Sequence, residues 1–212
     1  MKLEKKIALV IVFFVIILFA VLHFRNSGSF IYHGKNGDFK FDVSKIEKIN
    51  IYSPHVNYNG KEYVYAFRNK PQKLESLEFD QKVIDNLNRP DGLVDVYITK
   101  DINLSELTNA SVSLVTAPMA SILGKADYGI YKKNVRVAFT QFHAGQPTAP
   151  AVDCSTVNLN GNVNRTSAVI FLKLGEQNRV YSDGECIVIE GKNTDGLIKA
   201  GEKFAYSLIG VF

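Results

Sequence analysis

Tryptophan is absent from the 212 residues, and only two cysteines and four histidines occur. A structural zinc site needs about four ligands at close spacing, and Cys154 and Cys186 lie far apart with no histidine cluster beside them. No metal is therefore expected. Charge of one sign is also scarce in the body of the chain. The net charge of +4 sits mainly in Lys2, Lys5 and Lys6, against Glu4, and in Arg25, leaving residues 26–212 close to neutral. That distribution lacks the basic stripe that nucleic-acid binding requires, so nucleic acid is not an expected partner. The GxSxG elbow, HExxH, the P-loop lysine motif and GxGxxG are missing as well, and no cofactor is expected. The carboxylate pairs Asp38/Asp42 and Asp183/Glu185 read as solvated charges.

One long apolar run is present. Ile7 to Phe24, IALVIVFFVIILFAVLHF, holds eighteen positions without a charge. As a helix it would be about 27 Å long, close to the hydrocarbon thickness of a bilayer. It has no polar stripe and exceeds the apolar core of a cleavable signal peptide, about 7–15 residues. The expected reading is an uncleaved signal-anchor. Cleavage near Ser27-Gly28-Ser29 and a pilin-like filament helix are the rivals. The lysines before the run place the N-terminus in the cytoplasm and the remainder outside. The lipid bilayer, reached through residues 7–24, is thus the first expected partner.

The chain then divides into a basic flank (1–6), the anchor (7–24), a polar juxtamembrane tether (25–45) and an extracytoplasmic domain (46–212). Its two cysteines predict a disulfide between Cys154 and Cys186 in an oxidising compartment. Asn103, Asn109 and Asn164 each open an N-x-S/T triplet, which marks glycosylation in a suitable host.

Within the domain, Ile46–Tyr52 reads as a strand. Asn59-Gly60 reads as a hairpin turn, because both positions need positive φ. A short helix follows, capped by Asp80 and closed by Pro90. Leu93–Lys100 reads as a strand and 105–124 as a helix that Pro118 kinks or divides. Val135–Phe142 reads as a second strand, which completes a βαβ unit with parallel strands. Ala168–Leu174, then strands flanking Asp183-Gly184, form a C-terminal meander. Thr194–Phe212 carries helical spacing of Leu197, Ile198, Phe204, Ala205 and Leu208, with Thr194 as its cap. The fold class expected is α/β, with an N-terminal transmembrane helix, one mixed sheet and a C-terminal amphipathic helix.

GECIVIEG at 184–191 and YSLIGV at 206–211 resemble the C-terminal part of uncharacterised single-pass membrane-anchored proteins of small-genome archaea. That resemblance implies a lineage and no mechanism.

The most unusual stretch is QFHAGQPTAPAVDCS, 141–155, a long loop leaving a parallel strand. Loops at the carboxyl ends of parallel strands form the usual crevice of open α/β sheets. His143, Gln146, Lys100, Asp101 and Asp153 are therefore the candidate ligand-binding residues. The functional expectation is a membrane-anchored binding or assembly module. A hydrolase using His143 with Asp101 or Asp153, and a subunit of an envelope complex or filament with an envelope protein partner, are the alternatives.

Overall fold

The computed structural model describes residues 28–88, 92–101, 104, 109–138, 152–155 and 166–212. Residues 7–24 lie outside them, and among the described residues no helix is long and apolar enough to cross a membrane. The folded part is mixed α/β and contains two sheets rather than the single one expected.

The first sheet is an antiparallel meander of β1 (Gly28–Gly34), β2 (Gly37–Ile46), β3 (Ile49–Tyr58) and β4 (Lys61–Val64). Residues 28–46 are thus paired strands and not a tether. Phe39, Phe41 and Val43 alternate with Lys40 and Asp42, a period of two that buries one face. The expected strand 46–52 is broken by a tight turn, in which Glu47 adopts φ 54°. Asn59 (φ 50°) and Gly60 (φ 75°) turn β3 into β4, as their residue types require.

The second sheet has the order β5-β9-β10-β8-β6-β7, from β5 (Glu78–Phe79), β6 (Asp95–Lys100), β7 (Asn134–Val137), β8 (Ser167–Leu174), β9 (Arg179–Asp183) and β10 (Cys186–Gly191). β6, β7, β8 and β10 run parallel, and β9 runs against β10. β6, the helix α2 (Asn109–Leu123) and β7 form the expected βαβ unit. α2 continues through Pro118 as one element. The β9–β10 turn lies one residue later than expected. Asp183 pairs with Cys186, so Gly184-Glu185 form the loop, and Gly184 alone takes the positive φ, 59°.

Helix α1 (Lys82–Leu87) is held by Asp80, whose carboxylate accepts from the Lys82 amide (3.0 Å) and the Ser182 amide on β9 (3.3 Å). The closing Pro90 lies outside the described residues. Helix α3 (Thr194–Leu208) is capped by Asn193, not Thr194. The Asn193 side-chain oxygen accepts from Gly196 N at 2.8 Å. Gly191 permits the sharp passage from β10 into α3, because a Cβ there would run into the backbone of Leu197.

α3 is the centre of the molecule. Its apolar face covers the mixed sheet through Leu197 and Phe204, and the antiparallel sheet covers its other side. Tyr206 stacks on Phe67 with ring centroids 3.9 Å apart and meets Phe41 at 5.9 Å. Polar residues on that side are buried as well, and each is satisfied locally. Glu202 accepts from the Arg68 amide, the Asn69 amide (3.0 Å) and the Asn69 side-chain amide (2.7 Å). Burial pushes its carboxyl up from the ordinary range, opposed by those N–H groups. The Lys203 ammonium lies over the Phe212 ring, 3.4 Å from its centroid. Burial lowers its pKa, opposed by the charge of Glu75.

The outer face of the mixed sheet carries a second, smaller cluster of Ala138, Val152, Val169, Cys186 and Val188. The disulfide Cys154–Cys186, with Cα atoms 5.2 Å apart, fastens residues 152–155 to it. Its presence fits an oxidising compartment.

A cationic cleft beside the βαβ unit

β6 and β7 are parallel neighbours, Asp95 opposite Asn134 through Ile98 opposite Val137. Their carboxyl ends therefore reach the same edge of the sheet. α2 runs back over this edge and presents Ser113, Thr116, Ala117, Ala120 and Ser121 towards β7. These positions recur at helical spacing, so they share one face. Their small side chains leave a cleft of about 920 Å³ between α2 and β7. The bulkier Val115 and Met119 point away and pack on α3, at Gly201.

Lys100, Lys125 and Lys133 also line the cleft, with Arg136 at its edge and paired in register with Tyr97 of the outer face, and the described lining contains no carboxylate and no imidazole. Lys133 donates to the Leu93 carbonyl (2.6 Å), and Arg136 lies 3.6 Å from Asp95. Lys100 and Lys125 have no ion-pair partner among the described residues. An apolar trough with unneutralised cations at its rim favours a ligand that is apolar in part and negatively charged.

The structure separates the sequence-based candidates. Lys100 pairs with Leu172 and lies on the helix-covered face, in the cleft. Asp101 follows it, and its amide donates to the Leu172 carbonyl. Asp153 accepts from the Ser155 hydroxyl (2.5 Å) in the turn stapled to the opposite face. Lys100 and the Asp153 turn are therefore not on one face of the sheet. His143 and Gln146 lie outside the described residues.

Two charged clusters escaped the sequence reading. Glu78, Arg179, Glu190 and Lys173 are successive register partners across β5, β9, β10 and β8. They form a ladder of alternating sign. Arg179 bonds Glu190 through Nε and a terminal nitrogen (both 3.1 Å), and Lys173 lies 3.5 Å away. Burial works against the Glu190 carboxylate, but the Gln177 amide and the two cations outweigh it and lower its pKa. The ladder matches charges strand to strand and so helps select the register.

On the outer face of the antiparallel sheet, His55 bridges Glu62 through Nδ1 (2.9 Å) and Asp42 through Nε2 (2.8 Å). With a carboxylate at each nitrogen the imidazolium is favoured. The hydrogen bonds to Glu62 and then Asp42 raise its pKa against the effect of burial. A raised histidine pKa adds stability below the unfolded value, about 6.5, and loses it as pH rises through the folded value. The bond to His55 lowers the Asp42 pKa, so that part is lost only in acid. The melting temperature of the full chain in detergent is expected to fall as pH rises past the ordinary histidine value, about 6.5. His55→Gln should flatten this fall. A slope identical in wild type and variant would disprove the assignment.

No known protein family, characterised protein or solved structure matches this chain.

Proposed function

We propose that this chain is a single-pass, membrane-anchored binding or assembly module whose domain lies outside the cytoplasm. The cleft between α2 and β7 is its ligand-binding surface. The observation that carries the reading is the described lining: Lys100, Lys125 and Lys133 with no carboxylate among them, over a floor of small and apolar side chains. Charge of one sign around an apolar trough selects an anionic ligand with apolar parts, such as an acidic peptide segment or an amphipathic anion. The uncharged run at 7–24 supports the anchor, and the disulfide supports an oxidising compartment. His143 and Gln146 enter on the sequence argument alone, as residues of the segment that continues from β7.

The test is recovery of partners with the full chain extracted from membranes in mild detergent. The double variant Lys100→Glu/Lys125→Glu reverses two rim cations that hold no ion pair among the described residues. Bound material recovered with it is expected to drop at least tenfold, the loss from removing about 1.4 kcal/mol of attraction. Its melting temperature should stay near that of the wild type, because surface changes of this kind cost about 0.5 kcal/mol or less. Undiminished recovery would remove the cleft from the proposal.

A further inference from the structure

Half of the exposed large apolar side chains among the described residues gather at one place. Ile46, Ile49, Val64, Leu114 and Tyr128 are all exposed, Ile46 by 62%, and all line one shallow apolar groove of about 810 Å³. The groove runs from the β2–β3 tip to α2. Contiguous exposed apolar surface of this kind marks a docking surface. What covers it follows from the chain path.

Only Arg25, Asn26 and Ser27 separate the end of the apolar run at Phe24 from the start of β1 at Gly28. Four Cα steps reach about 14 Å at full extension. Gly28 pairs with Val43, and β2 runs antiparallel to β1. Beyond Val43, β2 therefore continues back towards the side from which the chain arrives. Ile46 lies three residues on, about 10 Å past Gly28. The polar interface of a bilayer is roughly 5–8 Å deep on each side, so an overshoot of that size bridges most of the gap.

The tip itself reads Lys45-Ile46-Glu47-Lys48-Ile49, and Ile46 and Ile49 are register partners. Both isoleucines thus project from one face, with lysines flanking them. That is the composition of an interfacial element: apolar side chains enter the headgroup boundary, and the ammonium groups stay at headgroup level. Tyr128, exposed by 60% on the same groove, has the amphipathic ring that favours this depth.

We propose that the β2–β3 tip and the groove behind it rest on the bilayer that holds residues 7–24. This rests on the reading of 7–24 as a membrane span. The contact makes the membrane a second support for the domain and sets its orientation, so that the sheet edge carrying the cleft is held at a defined angle to the lipid surface.

Because the chain has no tryptophan, one can be introduced as a unique probe. The full-length Ile49→Trp chain would be reconstituted into phosphatidylcholine–phosphatidylglycerol vesicles containing lipids brominated near the headgroup. Ile46→Trp serves as a second variant. Ile31→Trp is the control, since Ile31 is exposed on β1 opposite Lys40, about 20 Å along β2 from the tip. Both tip variants are expected to show blue-shifted emission and loss of intensity with brominated lipid, with neither change in the control. Alkaline carbonate extraction of the same vesicles separates the two readings. A retained chain whose tip variants emit like the control overturns the proposal alone. A retained chain with blue-shifted but unquenched emission assigns the groove to protein and also overturns it. Release of the chain by carbonate overturns the anchor reading and the proposal together.

Discussion

Replacing Tyr206 by alanine is expected to cost about 3–5 kcal/mol, the range for deleting a large aromatic side chain from a close-packed core. Tyr206 is fully buried and joins the two sheets. It stacks on Phe67, meets Phe41 and touches Phe212 edge-on at 6.0 Å. Its hydroxyl donates to the Asn69 carbonyl (2.9 Å), beside the Asn69 groups that hold Glu202. Burial in this setting pushes the phenol well above its ordinary pKa, so it remains a donor at every physiological pH. The alanine variant leaves both a cavity and an unpaired carbonyl. Denaturant unfolding of the full chain in detergent should show a large drop in midpoint. Tyr206→Phe keeps the stacking and should cost only about 1 kcal/mol. Equal losses in the two variants would show that the hydrogen bond, rather than the stack, joins the sheets.

Reducing the Cys154–Cys186 bond, or replacing both residues by alanine, is expected to cost about 3–4 kcal/mol. That follows from the entropy of closing a loop with a separation of 32 residues in the unfolded chain. A native disulfide also fastens Val152 and its turn onto the outer face of the mixed sheet, so its loss uncovers Val169 and Val188. The result to measure is the unfolding midpoint with and without reductant. Mass spectrometry without reductant should find the two cysteine peptides joined. A midpoint unchanged by reduction would mean that the turn is held by its packing alone.

Local chemistry was legible wherever one or two residues decide the outcome. Asn59-Gly60 had to turn, because few other pairs accept positive φ at both positions. The parallel β6 and β7 followed from strand, helix and strand in that order. The cysteine pair was readable from its even count. The turn at Gly184-Glu185 was placed one residue early, because Asp-Gly fits a turn in isolation and only the pairing of Asp183 with Cys186 shifts it. Thr194 and Asn193 are both able caps, and the geometry of the β10–α3 passage chose Asn193.

The candidate site was legible only in part. Lys100 was found because it ends a parallel strand. The rest of the cleft is made of small residues on α2 and lysines of the segment between α2 and β7, which carry no motif. His55 is one histidine among four, and its carboxylates come from two other strands, Asp42 on β2 and Glu62 on β4. Nothing in the local sequence announces such a cluster.

By itself the sequence determined the uncharged run at 7–24, the near-neutral body, the pairing of the two cysteines, the βαβ unit and the amphipathic C-terminal helix. Each depends on spacing or composition within a short stretch. Only the tertiary structure decided that residues 28–46 are strands. Their polarity and glycines suit a linker, and the alternation of Phe39, Phe41 and Val43 becomes decisive once α3 offers a surface to cover. It also decided that α3 is buried on both sides, because Glu202 and Lys203 look solvent-facing until Asn69 and Phe212 are brought to them. The extension of the β2–β3 tip past the start of β1 at Gly28 belongs to the same class. It arises from the antiparallel register of Gly28 with Val43, a pairing that long-range hydrogen bonds and shared packing select and that no short stretch of sequence contains.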